Sequence, residues 1–198
     1  MLELFLDVDG VILDFESSFM DYIREVWLPD LPPDYQPRSW EMSDHALASL
    51  DIDEVWEAFM SSGRFNRLKL LADPASFNQL AQAYPLHLVT NLPQEQYGPR
   101  SENLEFHGLK FASLNMGGHH TFNIPNYPTK SAVIAKIRTP NRRPVFLDDH
   151  PVNCRDVAEA FPEALVFLME RPHNQNLESG PWIRVANWQA FVTRLNLE

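Results

Sequence analysis

The chain has 198 residues, plentiful Phe and Trp, and a formal net charge of −11. That length suits one substantial domain, or one domain with an insertion. The acidic balance argues against a nucleic-acid polymer or an anionic membrane as main partner, so an anionic small molecule would need a metal, a Lys or backbone N–H groups to receive it.

The single cysteine, Cys154, excludes an internal disulfide and fits a reducing compartment. Met1-Leu2-Glu3 has no basic stretch of the kind that opens a secretion signal. No run approaches the roughly 18 apolar residues of a membrane span. The expectation is a soluble cytoplasmic protein, without repeats or low-complexity segments.

The first element is the apolar run of Leu2, Leu4, Phe5, Leu6 and Val8, which ends in Asp7-Val8-Asp9-Gly10-Val11. A short apolar run closed by a turn residue predicts a buried parallel strand. In open α/β sheets the ligand site lies beyond the carboxyl ends of the strands, which is where Asp7 and Asp9 fall. Two carboxylates this close repel, so either one takes a proton or a cation neutralises both. A proton gives an acid beside a base; a hard cation such as Mg2+ gives a phosphate site; both can hold together. Asp-Gly is also a common turn pair.

Phe19, Met20, Tyr22, Ile23, Val26 and Trp27 recur at helical spacing and predict a helix from about Ser17 to Leu28, closed by Pro29. Ser43-Asp44 is a plausible helix start, and Ile52-Asp53 breaks the apolar-faced stretch from there to Gly63 into two short helices. No convincing strand occurs over 15–72, which therefore predicts a helical insertion beside the site. The division expected is a core of 1–14 and 73–198 with a helical cap of 15–72.

Asp73-Pro74 opens the next helix and Pro85 stops it. Leu86 to Thr90 predicts a second buried strand, ending in Thr90-Asn91, whose hydroxyl can reach a phosphate oxygen or simply serve a turn. Gln94 to Phe106 is polar and helical, and Leu109 to Leu114 is a third strand candidate. The His119-His120 pair lacks the further convergent ligands a metal site requires. Thr129 caps a helix whose first turn carries Lys130, where a cation opposes the helix dipole. Pro144 to Leu147 predicts a fourth strand ending in Asp148-Asp149, followed by a helix from Pro151. Ala164 to Met169 is a fifth strand, and the chain closes on a helix bearing Trp188, Phe191, Val192 and Leu195.

Asp7 with Asp9, Thr90, Lys130, and Asp148 with Asp149 all fall at one rim of such a sheet. In this order they resemble the four motifs of the haloacid dehalogenase superfamily: Asp7-Val8-Asp9-Gly10-Val11, Thr90, Lys130, and Phe146-Leu147-Asp148-Asp149 with Asn153 four residues on. The resemblance implies an α/β fold with a Rossmann-like core, a parallel sheet flanked by helices, and a small helical cap inserted after the first strand. It implies a Mg2+-dependent phosphatase acting on a small phosphorylated metabolite. Asp7 would be nucleophile and Asp9 acid and base, with Thr90, Asn91 and Lys130 on the phosphoryl oxygens. Asp7, the Asp9 carbonyl and Asp149 would hold the metal, with Asp148 and Asn153 supporting. Asn153 departs from the Asp often found there. The dehalogenases lack the second Asp, so Asp9 favours phosphate ester hydrolysis, with a phosphomutase or a non-catalytic phospho-ligand or protein-binding member as the alternatives. More narrowly, Asp-x-Asp-Gly-Val-x-x-Asp-Phe-Glu-x-x-Phe over 7–19 is similar to the 5'(3')-deoxyribonucleotidases, which would make Phe15 a base-holding aromatic; its other role is to pack the cap helix. Trp40, Trp56, Arg64, Phe65 and Arg67 are further candidates for specificity. The sequence leaves the oligomeric state open.

Overall fold

The computed structural model describes residues 1–39, 42, 44–118 and 128–196. Trp40, Ser43 and the His119-His120 pair lie outside the described residues. Among the described residues six strands, β1 (Leu2–Leu6), β2 (Leu86–Thr90), β3 (Ser113–Met116), β4 (Arg143–Asp148), β5 (Leu165–Met169) and β6 (Ile183–Val185), form one sheet in the order β3-β2-β1-β4-β5-β6. Every pairing is parallel. This is the Rossmann-like α/β arrangement that the alternation of strands and helices predicts.

The helices are α1 (Phe15–Val26), α2 (Ile52–Ser61), α3 (Pro74–Ala83), α4 (Tyr97–Phe106), α5 (Lys130–Ile137), α6 (Pro151–Ala160) and α7 (Trp188–Leu195). The period-two alternation of the strands assigns the two faces of the sheet. Leu4, Leu6, Leu88, Leu147 and Phe167 join the core that contains Phe77 of α3 and Trp188 and Phe191 of α7. Phe5, Val89, Phe146, Val166 and Leu168 join Val133 and Ile134 of α5 and Cys154 and Val157 of α6. Burial on both faces is why these strands read as continuous apolar runs. Glu3, a buried charge in β1, is satisfied by Thr139, whose backbone N–H donates at 2.7 Å and whose hydroxyl donates at 2.9 Å.

The connection between β1 and α3 carries α1, α2 and two single 3-10 turns, His45–Leu47 and Arg64–Arg67, with no strand among its described residues. Phe15, Phe19 and Tyr22 of α1 meet Trp56 and Phe59 of α2 ring to ring, with centroids 5.1 to 5.9 Å apart. No helix of the described residues is long and apolar enough to cross a membrane.

Three elements differ from expectation. Helix α1 begins at Phe15, because Asp14 accepts from the Ser17 N–H and caps it two residues earlier. Strand β3 lies further along than 109–114, because Ala112 N–H already bonds Leu86 O and the ladder runs from Ser113 to Met116 opposite His87 to Thr90. Leu109 is spent on the core before the strand starts. Strand β6 was not anticipated, since three residues at a sheet edge carry too little pattern.

Candidate active site

The strand order reverses between β1 and β4, so a crevice opens beyond their carboxyl ends. Asp7 follows β1, Thr90 ends β2 and Asp148 ends β4. The turn after Asp9 is tight: Ile12 and Leu13 N–H groups both reach Val8 O at 2.8 Å, and Gly10 N–H reaches Leu13 O at 2.9 Å. Gly10 has φ +75°, and a Cβ there would stand 2.1 Å from Asp149 Oδ2. Glycine is therefore required twice, by its backbone conformation and by the approach of the carboxylate.

Lys130, buried at the start of α5, joins the two carboxylate pairs. Its Nζ donates to Asp148 Oδ2 at 2.7 Å and stands 2.8 Å from Asp7 Oδ1. Burial alone would lower the Lys130 pKa, but Asp148 and Asp7 outweigh it and the ammonium is held charged. Asp7 Oδ1 also accepts from Val8 N–H at 2.7 Å. Desolvation and the neighbouring Asp148 push Asp7 well up despite Lys130. Desolvation likewise raises Asp9, opposed by Arg100, Lys130 and a hydrogen bond from Thr90.

Asp148 Oδ1 accepts from His150 N–H at 2.7 Å, and Asn153 Nδ2 donates to Asp148 and to Asn91 Oδ1, the latter at 3.0 Å. The Asn91 amide in turn donates to Gly118 O. The helix α6 is capped by His150, not by either Asp of the pair. That leaves Asp149 for another purpose. Neither of its buried carboxylate oxygens has a hydrogen-bond partner among the described residues. His173 Nε2 stands 3.6 Å from Oδ2. Desolvation pushes the Asp149 carboxyl up to about 7.

Asp7, Asp148 and Asp149 each offer an oxygen, all within 4.8 Å of one another. Buried carboxylates without donors are costly unless protonated or coordinated, and a hard divalent cation takes such oxygens. The residues present thus fit a metal of the Mg2+ kind, with Asp149 the carboxylate most open to it.

A cavity of about 370 Å³ opens from these groups toward α1 and α2. Asp7, Asp9, Thr90, Asn91, Asp149, Asn153 and Phe15 all line it, and Lys130 and Asp148 stand directly behind Asp7. Trp56 lines it too. Arg64, Phe65 and Arg67 do not: Arg64 pairs with Glu25 at 2.7 Å, Arg67 covers the Phe106 ring, and Phe65 is buried beneath Arg100.

Sequence reasoning missed Arg100. It projects from α4 with 0% exposure, and its Nη2 donates to Asp9 Oδ1 at 2.7 Å while its guanidinium lies 4.0 Å over the Phe65 ring. Desolvation lowers its pKa, and Asp9 and Asp7 oppose that. The signal present was the spacing of Arg100, Asn103 and Leu104, which share the buried face of α4. The turn after β5 was missed as well. There Asn174 Nδ2 donates to Asp149 O and Met169 O, both at 2.8 Å, and Arg171 Nε donates to Gly10 O at 2.6 Å. Both clamps hold backbone of the carboxylate turns.

No protein-family model and no curated protein matches the chain by sequence. Solved structures do match. An L-2-haloacid dehalogenase aligns over 98% of this chain and 99% of its own, with TM-score 0.60 and 14% identity. A haloacid dehalogenase-like hydrolase from Streptococcus pneumoniae aligns over 100% and 99%, with TM-score 0.61 and 15% identity. A Bacillus subtilis protein described as a HAD-hydrolase, whose structure holds magnesium, aligns over 98% of each chain, with TM-score 0.61 and 16% identity. The chain is a doubly wound α/β protein with its acidic crevice at the switch point. Its fold is that of the haloacid dehalogenase superfamily, which its four motifs resemble.

Proposed function

We propose that the protein is a Mg2+-dependent phosphatase that hydrolyses a small phosphate monoester through an aspartyl-phosphate intermediate. The observation that carries this is Lys130 held between Asp7 and Asp148 while neither oxygen of buried Asp149 accepts a hydrogen bond from the described residues. One lysine and one cation site facing a carboxylate nucleophile is what a phosphoryl dianion requires.

Asp7 Oδ1 is held by Val8 N–H and Lys130, which leaves Oδ2 to attack phosphorus. The new O–P bond forms as the ester O–P bond breaks. Asp9 delivers its proton to the departing oxygen, a role favoured by the upward push of burial on its carboxyl. In the second half Asp9 takes a proton from water, which attacks phosphorus and releases Asp7 and phosphate. Thr90, Asn91 and Lys130 hold the phosphoryl oxygens. Asp7, the Asp9 carbonyl and Asp149 hold the metal, with Asp148 and Asn153 behind them; when bound, the cation supplies charge that stabilises the phosphoryl oxygens. Residues 15–72 act as the cap that closes the cavity over the ester, beside a core of 1–14 and 73–198. Within this class a nucleoside 5'-monophosphate is the narrower proposal, supported by Phe15 on the cavity wall.

Phosphate release from a panel of nucleotides, sugar phosphates and an aryl phosphate, with Mg2+ and with chelator, tests this for wild type and Asp7→Asn. Turnover that needs both Mg2+ and Asp7 is expected. Folded, metal-loaded protein that turns over none of the esters overturns it.

A further inference from the structure

Beyond the reacting phosphoryl group, the cavity is walled by Phe15, Phe19, Met42, Ile52, Trp56 and Leu92. Its acidic side chains on that side are Glu16 on α1 and Asp53 on α2, and its histidines are His150 and His173. No Lys or Arg lines it. All 16 lysines and arginines of the chain lie within the described residues, so none remains to be added. The cations nearest the floor are already engaged: Lys130 by Asp7 and Asp148, Arg100 by Asp9, and Arg171 by the carbonyls of Gly10 and Glu170. His173 is flanked by two carboxylates, with Nδ1 3.5 Å from Glu16 Oε2 and Nε2 3.6 Å from Asp149 Oδ2. A substrate whose leaving group carried a second phosphate or a carboxylate would place that anion against apolar rings and acidic side chains.

Resting on the phosphatase reading and deepening it, we propose that the site selects monoesters by the charge of the leaving group. It takes apolar, uncharged or cationic leaving groups and rejects those bearing a second anionic group. Bisphosphates, nucleoside di- and triphosphates and phospho-acids are thereby excluded; neutral aromatic and nucleoside leaving groups are admitted. The rings contribute apolar contact area for a flat leaving group. The carboxylates act by Coulomb repulsion on an anion brought into the cavity. Asp53, exposed at the start of α2, is the position at which this repulsion can be reversed without disturbing buried groups.

The test compares matched esters: phenyl phosphate, 4-carboxyphenyl phosphate and 4-(aminomethyl)phenyl phosphate, by kcat/KM with Mg2+. The carboxylated ester is expected to be slower than the neutral one by about tenfold or more, the size of one uncompensated charge contact, and the cationic ester at least as fast as the neutral one. In Asp53→Lys the ratio of neutral to carboxylated ester is expected to narrow several-fold, the neutral ester serving as the internal reference for folding. Calorimetric binding of benzylphosphonate and 4-carboxybenzylphosphonate gives the same comparison without turnover. Equal rates and equal binding for neutral and carboxylated probes overturn the charge selection while leaving the phosphatase intact. Selective binding of the neutral phosphonate, with no ester or acetyl phosphate hydrolysed, overturns the phosphatase and upholds the selection.

Discussion

Arg100 Nη2 donates to Asp9 Oδ1 at 2.7 Å, joining two residues 91 positions apart through a side chain with no solvent exposure. The contact fixes the Asp9 carboxylate by a charge-assisted bond, and the Phe65 ring lies beneath the guanidinium. On the proposed mechanism Arg100 is a positioning residue for the acid and base of the reaction. Arg100→Met leaves the partly buried Asp9 carboxylate without its guanidinium and with the Thr90 hydrogen bond alone, and is expected to cost about 1–3 kcal/mol of stability by urea unfolding. Its kcat/KM for an alkyl phosphate is expected to fall by roughly 100-fold. An aryl phosphate, whose leaving group needs less protonation, is expected to lose much less, and Arg100→Lys to recover part of the alkyl activity. Equal losses for both esters would reduce Arg100 to a structural residue.

Gly10→Ala tests the close approach of the turn to Asp149. Its Cβ would collide with Oδ2, and φ +75° adds about 1–2 kcal/mol of backbone strain. The expected result is a lower Tm and, more tellingly, a smaller rise of Tm on adding Mg2+ than wild type shows. A variant that keeps the full Mg2+ response would mean that Asp149 moves aside freely and does not hold the metal.

Lys130→Met removes the one ammonium between Asp7 and Asp148. Buried charges that lose a partner cost about 3–5 kcal/mol, so metal-free variant protein is expected to be strongly destabilised. Adding Asp148→Asn should give back part of that loss, because the two residues share one contact and their effects do not add. Strict additivity in denaturant titrations would contradict the shared contact.

The Asp149 carboxyl, pushed up to about 7 by burial, makes stability depend on both pH and metal. The native state binds this proton more tightly than the unfolded chain, whose Asp titrates near about 4. Its contribution to the metal-free fold is therefore complete below about pH 4 and is lost as pH rises through about 7. Mg2+ takes the deprotonated form, so its stabilising effect grows over the same window. Thermal unfolding between about pH 5 and pH 8, with chelator and with Mg2+, is expected to show the two curves diverging as pH rises. Parallel curves would remove Asp149 from the metal site.

Much of the site was legible because it is local. A strand buried on both faces shows itself as an apolar run, and the polar residue that ends it marks the rim where ligands bind. That logic located Asp7, Asp9, Thr90 and the Asp148-Asp149 pair, and the Thr129 cap located Lys130. It failed where pattern is thin. The edge strand β3 alternates as Ser113-Leu114-Asn115-Met116, half-exposed and buried in turn, and its register is set by β2, not by the stronger apolar run before it.

The sequence by itself determined the class of fold and the chemical character of the rim, since backbone propensity, apolar period and capping act over a few neighbouring residues. Only the tertiary structure decided the pairings. That Lys130 bridges two carboxylates, that Arg100 holds Asp9, that Asn174 and His173 back Asp149, and that a ring-walled cavity without a lysine or arginine faces the carboxylate cluster are contacts between distant positions. They follow from strand order and helix docking. Apolar runs, which say only that a strand is buried, do not encode which strand lies beside which.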